Sequence, residues 1–267
     1  MTAIDTAKLP VMLTTLRLPT IARLWQDLGE RADREGWGAA RFLAALCEHE
    51  IHERHARRIA RHLAEADLPA GKTLATFDFS SVPTLRKAHV LALATGDAWL
   101  EQGANVMLFG PSGTGKSHLA AAIGAALVEN GHRVLFTRTT DLVQKLQAAR
   151  RDLSLPGMLA KLDRFDSLIL DDPKLDRFDG LILDDLGYVR KDQAETSVLF
   201  ELIAERYERR SLITTCNQPF SEWGQIFPDP AMTVAAIDRL VHHATILELN
   251  TESYRRRAAT GGAAMAS

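Results

Sequence analysis

Cysteine is scarce: Cys47 and Cys216 are the only two in 267 residues, and they stand far apart. No disulfide framework can be built from them, and the usage fits a reducing compartment. Net charge is almost absent. Thirty-two Lys and Arg face 34 Asp and Glu, a formal balance of -2, so any nucleic-acid binding has to come from local patches. No uninterrupted apolar run approaches the ~18–20 residues that a membrane-spanning helix needs. The opening MTAIDTAKLPVMLTTLRLP lacks a signal-peptide core followed by a small-residue cleavage site. Neither Gly (17) nor Pro (10) is in excess, and 46% hydrophobic with 25% charged residues excludes wholesale disorder, collagen and repeat arrays. These absences leave a soluble cytoplasmic protein with one large domain, or a main domain and a small appendage.

Three textures follow one another. Residues 1–72 carry apolar residues at helical spacing, Ile21, Leu24, Trp25 and Leu28, then Phe42, Leu43 and Leu46, which predicts a small all-helical domain. Pro10, Pro19, Gly36 and Gly38 punctuate it, and Leu68-Pro69-Ala70-Gly71 closes it. Residues 73–104 read as a connector. From 105 to 257 apolar strands alternate with helical segments, the pattern of an α/β domain with a parallel sheet flanked by helices. Strand candidates are Val106–Phe109, Arg133–Thr137, Leu181–Leu183, Leu212–Thr215 and Thr245–Leu249. Residues 258–267 make a small-residue tail.

The strongest chemical signal is GPSGTGKS at Gly110–Ser117, which follows the strand NVMLF and precedes the helical HLAAAIGAALVEN. This is the strand–loop–helix context that a phosphate-binding P-loop requires. Gly110, Gly113 and Gly115 let the backbone, with Pro111, Ser112 and Thr114, wrap phosphates with its N–H groups. The helix beginning near Lys116, Ser117 and His118 adds its positive end. Lys116 is placed to reach the β- and γ-phosphates of ATP, and the Ser117 hydroxyl to bind Mg2+.

Such an enzyme also needs an acid at the end of a neighbouring apolar strand. Leu181-Ile182-Leu183-Asp184-Asp185 supplies one: Asp184 for the metal, Asp185 for the attacking water. However, residues 161–173 (KLDRFDSLILDDP) and 174–186 (KLDRFDGLILDDL) form a tandem duplication. The second copy is favoured because Leu186-Gly187-Tyr188 runs on toward the next helix, whereas Pro173 suits no central strand. Leu168–Pro173 is then expected in a loop or an edge strand, and Asp171/Asp172→Ala should leave hydrolysis intact.

Asn217, at the end of another apolar strand, is a candidate γ-phosphate sensor, or else makes an Asx turn before Pro219. Arg239 and Arg255 are candidate phosphate sensors or surface ion-pair residues. Arg54, Arg57, Arg58 and Arg61 fall at i, i+3, i+4 and i+7 on one helical face, suited to DNA phosphates unless Glu50 and Glu53 satisfy them. Lys145, Arg150 and Arg151 ride on a second amphipathic helix and are further DNA candidates. His49, His52, His55 and His62 lack partners at a metal-site spacing. A small-molecule kinase on the same loop would need an arginine-rich lid, which the sequence does not offer.

GPSGTGKSHLA, LILDDLGY, ITTCNQPFSEW and AAIDRLVHHATILELNTESYR together resemble the IstB family of AAA+ ATPases, transposition helpers of insertion sequences related to DnaC-like helicase loaders. The resemblance extends to LRLPTIARLWQDL, FLAALCEHEIHERHARRIARHL and FDFSSVP. It implies an AAA+ core that binds ATP and Mg2+ at Gly110–Ser117, with Asp184 and Asp185 as the acidic pair and Asn217 as first sensor. It further implies that Arg239 acts as an arginine finger in a homo-oligomer, assembly on double-stranded DNA, and delivery of that DNA to a partner transposase. The alternatives are a replicative helicase loader, or a copy whose duplication leaves ATP binding without hydrolysis.

Overall fold

The computed structural model describes residues 6–171, 193–217, 219–225 and 229–251. The chain divides into two compact units, Met1–Arg61 and His62–Ser267.

The first unit is helical: α1 (Leu9–Thr15), α2 (Pro19–Glu35) and the greater part of α3 (Ala39–Glu65). Pro10 and Pro19 stand in the first turns of α1 and α2, where a missing N–H costs no intrahelical bond. Gly36 ends α2 at φ +66. Beyond it Trp37 N–H donates to Ala32 O at 2.8 Å, a Schellman closure. Leu13, Ile21 and Leu46 form a small core with Trp25, Leu28 and Phe42 packed on it. Beside this core Glu50 is buried, accepting Thr20 N–H at 2.8 Å and Ile21 N–H at 3.1 Å and thereby capping the start of α2.

The second unit is built on a five-stranded parallel sheet, β1 (Asn105–Phe109), β2 (Val134–Arg138), β3 (Ser167–Asp171), β4 (Ser211–Cys216) and β5 (Ala244–Glu248), in the order β2-β3-β4-β1-β5. Its helices are α4 (Lys87–Thr95), α5 (Asp97–Glu101), α6 (Lys116–Glu129), α7 (Thr139–Arg151), α8 (Leu155–Leu162), α9 (Gln193–Arg206) and α10 (Pro230–Val241). Strand residues alternate between two cores. Val106, Leu108, Ile169 and Ile213 pack with α4 and α6, whereas Met107, Leu168, Leu170 and Leu212 pack with α7–α10. Small residues of α6 let it approach the sheet: a Cβ on Gly124 would stand 2.5 Å from Ile169 Cδ1. Phe77, Val82, Leu85, Val90, Leu93 and Leu100 all belong to the first of these cores. Residues 73–104 therefore fold as part of the second unit and not as a separate connector.

Four of the five expected strands lie within a residue of those observed, the fifth, Leu181–Leu183, lies outside the described residues, and the place expected for Leu168–Pro173 is corrected. Leu168–Asp171, from the first copy of the duplication, forms central β3 between β2 and β4, with Leu168 beside Leu212 and Asp171 beside Arg138. It is neither a loop nor an edge. The part of this copy that precedes Pro173 is paired through Asp171; Pro173 itself lies outside the described residues. The copy is held by Arg206, which is buried and donates to the carbonyls of Leu162, Phe165 and Ser211, each at 3.0 Å. Burial lowers the Arg206 pKa to about 10, against the opposing pull of Asp163 and Asp166. Asp166 also accepts Arg133 N–H at 2.8 Å and Arg210 at 3.1 Å.

Candidate nucleotide-binding site

Parallel strands bring the ends of β1, β3 and β4 to one edge of the sheet, where α/β proteins bind ligands. From β1 the chain turns at Gly110, whose φ is +151. A Cβ there would meet Leu249 O at 2.6 Å, because the end of β5 is tied back by Leu249 N–H to Phe109 O at 2.8 Å. Gly115, at φ +94, starts α6 and lies against the Phe77 ring, 3.2 Å from where its Cβ would be. Both positions require glycine.

Lys116 is 6% exposed and donates to Pro111 O at 2.7 Å, and Thr114 Oγ1 donates to the same carbonyl at 2.9 Å. The lysine thus lies folded along the loop, its ammonium already among the loop's own atoms. Ser117 Oγ and Thr215 Oγ1 each donate to Asp171 Oδ1 at 2.7 Å. Asp171 itself is 8% exposed. The P-loop hydroxyl, a carboxylate from β3 and a hydroxyl from β4 therefore converge on one point. A half-buried serine and an anionic oxygen at this separation are the donor set that Mg2+ takes in P-loop proteins, so the residues present fit that ion.

A cleft of about 310 Å³ opens over the loop, at the lower end of the range for small-molecule sites. Gly113–His118, Thr215 and Asn217 line one side of it, and Lys72, Thr76, Phe77, Asp78 and Ser81 the other. His118 is held by Thr76 Oγ1 at 3.1 Å and Thr73 O at 3.2 Å, with its ring edge-on to Phe77. Phe79 packs edge-on to Phe77 in turn.

Gly110, Pro111, Ser112, Gly113, Thr114, Gly115, Lys116, Ser117 and His118 are thus contiguous on the loop, and Asn217 reaches the same cleft. Asp184, Asp185 and Arg255 lie outside the described residues; the acid found beside Ser117 is Asp171. Arg239 does not line this chain's own cleft. It donates to Ala235 O at 2.9 Å and lies over the Phe200 ring at 5.3 Å.

The basic faces divide. Arg54 Nε pairs with Glu50 at 2.8 Å, Arg57 approaches the same carboxylate at 3.5 Å, and Arg54 also donates to Arg17 O. Arg58 and Arg61 are exposed and make no ion pair among the described residues. On α7, Arg150 is engaged by Glu201 and by Ser197 Oγ, the latter at 3.0 Å, while Lys145 and Arg151 are exposed. Arg54, Arg57 and Arg150 thus serve intramolecular pairs, as the nearby glutamates allowed.

Sequence reasoning sets Asp171 aside in favour of the second copy and singles out neither Thr215 nor the 72–81 wall. For Asp171 the signal was present, since LILDD occurs twice. For Lys72 and Phe77 no local pattern marks a cleft wall.

A family model described as "IstB-like ATP binding protein" matches residues 11–261. An insertion sequence ATP-binding protein of Sinorhizobium fredii is 66% identical over 96% of this chain and 82% of its own length. An insertion sequence IS21 ATP-binding protein of Pseudomonas aeruginosa is 36% identical over 93% and 88%. Among solved structures, AMPPCP-bound DnaA from Aquifex aeolicus superposes with a TM-score of 0.53 at 16% identity, covering 73% of this chain and 56% of that one. DnaI does so with 0.51 at 16% identity, covering 72% and 98%. These likenesses are to the AAA+ P-loop fold.

Proposed function

This chain belongs to the family of IstB-like ATP-binding proteins of insertion sequences, and on that premise we propose that it is a Mg2+-dependent ATPase acting as a DNA-binding transposition helper. The observation that carries the hydrolytic part is the convergence of Ser117, Asp171 and Thr215 at the mouth of the P-loop. The loop N–H groups and the α6 N-terminus hold the phosphates. Lys116 leaves Pro111 O for the β- and γ-phosphate oxygens. Ser117 and Asp171 would hold the magnesium ion, which would supply charge neutralisation at the phosphates. Asn217 orients the attacking water from the β4 side, and Asp172, adjacent to Asp171 in sequence, accepts its proton. Water oxygen bonds to the γ-phosphorus, the bridging oxygen leaves with ADP, and inorganic phosphate is released. Arg239 acts on the nucleotide of a neighbouring copy, where charge developing in the transition state would meet its guanidinium. A seated acid beside Ser117 favours a copy that turns over rather than one that only binds ATP.

Double-stranded DNA and a transposase encoded with the same insertion sequence are the partners this reading names. Among the described residues Arg58, Arg61, Lys145 and Arg151 are the basic side chains of the two candidate faces left to contact phosphates. The test is ATP hydrolysis by the purified protein with and without double-stranded DNA, beside Lys116→Ala. Lysine-dependent turnover raised by DNA supports the proposal. Turnover indifferent to DNA, together with co-purification of a replicative helicase, would replace it with the helicase-loader reading. Arg58→Ala/Arg61→Ala should flatten the salt dependence of DNA binding by about two phosphate contacts. An unchanged slope returns α3 to a solvated face.

A further inference from the structure

At the opposite end of the sheet from the nucleotide cleft, where β4 and β5 begin, three ligating side chains meet. Glu208 lies in the turn between α9 and β4, and His242 and His243 join α10 to β5. Glu208 Oε1 stands 3.6 Å from His242 Nδ1 and 3.6 Å from His243 Nε2. These separations are too long for hydrogen bonds. They are close to the distance of about 3.4 Å between two ligands that bind one tetrahedral ion at ~2.0–2.2 Å each. The two imidazole rings lie with centroids 4.0 Å apart and planes tilted by 41°.

The surroundings fit a cation. His242 caps the C-terminus of α10, the negative end of that helix. Tyr207 Oη lies 2.7 Å from His242 Nδ1, a hydrogen bond that an ion on this nitrogen would replace, leaving the phenol oxygen close enough to be a fourth ligand. Glu208 adopts φ +55, a left-handed conformation that a glutamate enters at a cost. His243 O accepts Asn105 N–H at 3.2 Å, which fixes the backbone of the second imidazole to the start of β1.

We propose that Glu208, His242 and His243 form a site for a first-row divalent transition-metal ion, with Zn2+ the best match to two nitrogens and one carboxylate. Tyr207 Oη or a water completes four-coordination. Bound there, the ion ties the α9–β4 turn to the α10–β5 turn, one helical turn from Arg239. The site stands apart from the P-loop and needs no nucleotide.

The full-length, tag-free protein, stripped with chelator, is titrated with Co2+ followed by visible absorption and then by Zn2+ displacement. One equivalent should bind, and Zn2+ should displace it. Glu208→Gln and His243→Ala should each weaken binding by at least about 10-fold, and Tyr207→Phe by about 10-fold or less, since a water can take the fourth position. Circular dichroism melts of the metal-free variants should match the metal-free parent. Lys116→Ala and Cys47→Ser/Cys216→Ser should bind as the parent does. Absence of stoichiometric binding, or binding that survives both Glu208→Gln and His243→Ala, overturns the site. So does binding lost in Lys116→Ala or in the cysteine variant.

Discussion

Replacing Asp171 by Ala, with Asp184→Ala as its twin, separates the two copies of the duplicated segment. Asp171 is nearly buried and receives hydroxyl hydrogens from Ser117 and Thr215. Truncation leaves both hydroxyls without their acceptor, at about 1–3 kcal/mol for each group that water cannot reach. Thr215 is buried, whereas Ser117 borders the cleft and can turn to solvent. Removing a desolvated carboxylate offsets part of the loss. The net cost is therefore about 1–2 kcal/mol, a fall of roughly 2–8 °C in melting temperature for a unit of this size. Turnover should suffer far more. Losing one preorganised charge at the reacting phosphate is worth about 10²–10³ in kcat. Nucleotide binding through Lys116 and the loop N–H groups should remain measurable in the absence of metal. The assay is steady-state phosphate release beside fluorescent-nucleotide binding and a thermal melt. Asp171→Ala should be nearly inactive yet folded, and Asp184→Ala should behave as the parent. If Asp184→Ala is inactive and Asp171→Ala turns over normally, the second copy supplies the acid, and the assignment of β3 is refuted.

Gly110→Ala forces a Cβ to within 2.6 Å of Leu249 O. It should abolish ATP binding and lower the melting temperature of the second unit by several degrees, read by nucleotide titration and calorimetry. Arg206→Met strands the carbonyls of Leu162, Phe165 and Ser211 in the core and should cost about 3–5 kcal/mol, measured by urea unfolding. Burial raises the Glu50 pKa, but Arg54 and the N–H groups of Ile21 and Thr20 outweigh it and leave the value below that of an ordinary glutamate. The folded unit thus favours the carboxylate, and the resulting stability is present above the unfolded pKa of about 4.3 and lost as pH falls through the folded value. Glu50→Gln should remove this acid sensitivity from the melting of residues 1–61, and an unchanged pH profile would refute it.

The nucleotide loop was legible because its chemistry is local. Strand, glycines, lysine and serine are contiguous from Asn105 to Ser117, and each is dictated by φ, close approach or charge within a few residues. The acid was legible as a type but not as a position. Over KLDRFD and LILDD the two copies carry the same side chains, so periodicity and propensity cannot distinguish them, and one proline in the sequence was too little to choose between them. Likewise Arg54 and Arg57 read equally well as a DNA stripe or as partners of Glu50, until the N-terminus of α2 supplied two further donors to that carboxylate.

By itself the sequence determined that this is a P-loop ATP-binding protein with a helical N-terminal region, because those features rest on neighbours along the chain. Tertiary structure decided which aspartate stands beside Ser117, which arginines are already engaged, and that residues 72–81 wall the cleft. Each of these depends on groups distant in sequence, such as Arg206 on α9 reaching Leu162 and Phe165, and on the requirement that a buried donor or acceptor find its partner wherever the fold places one.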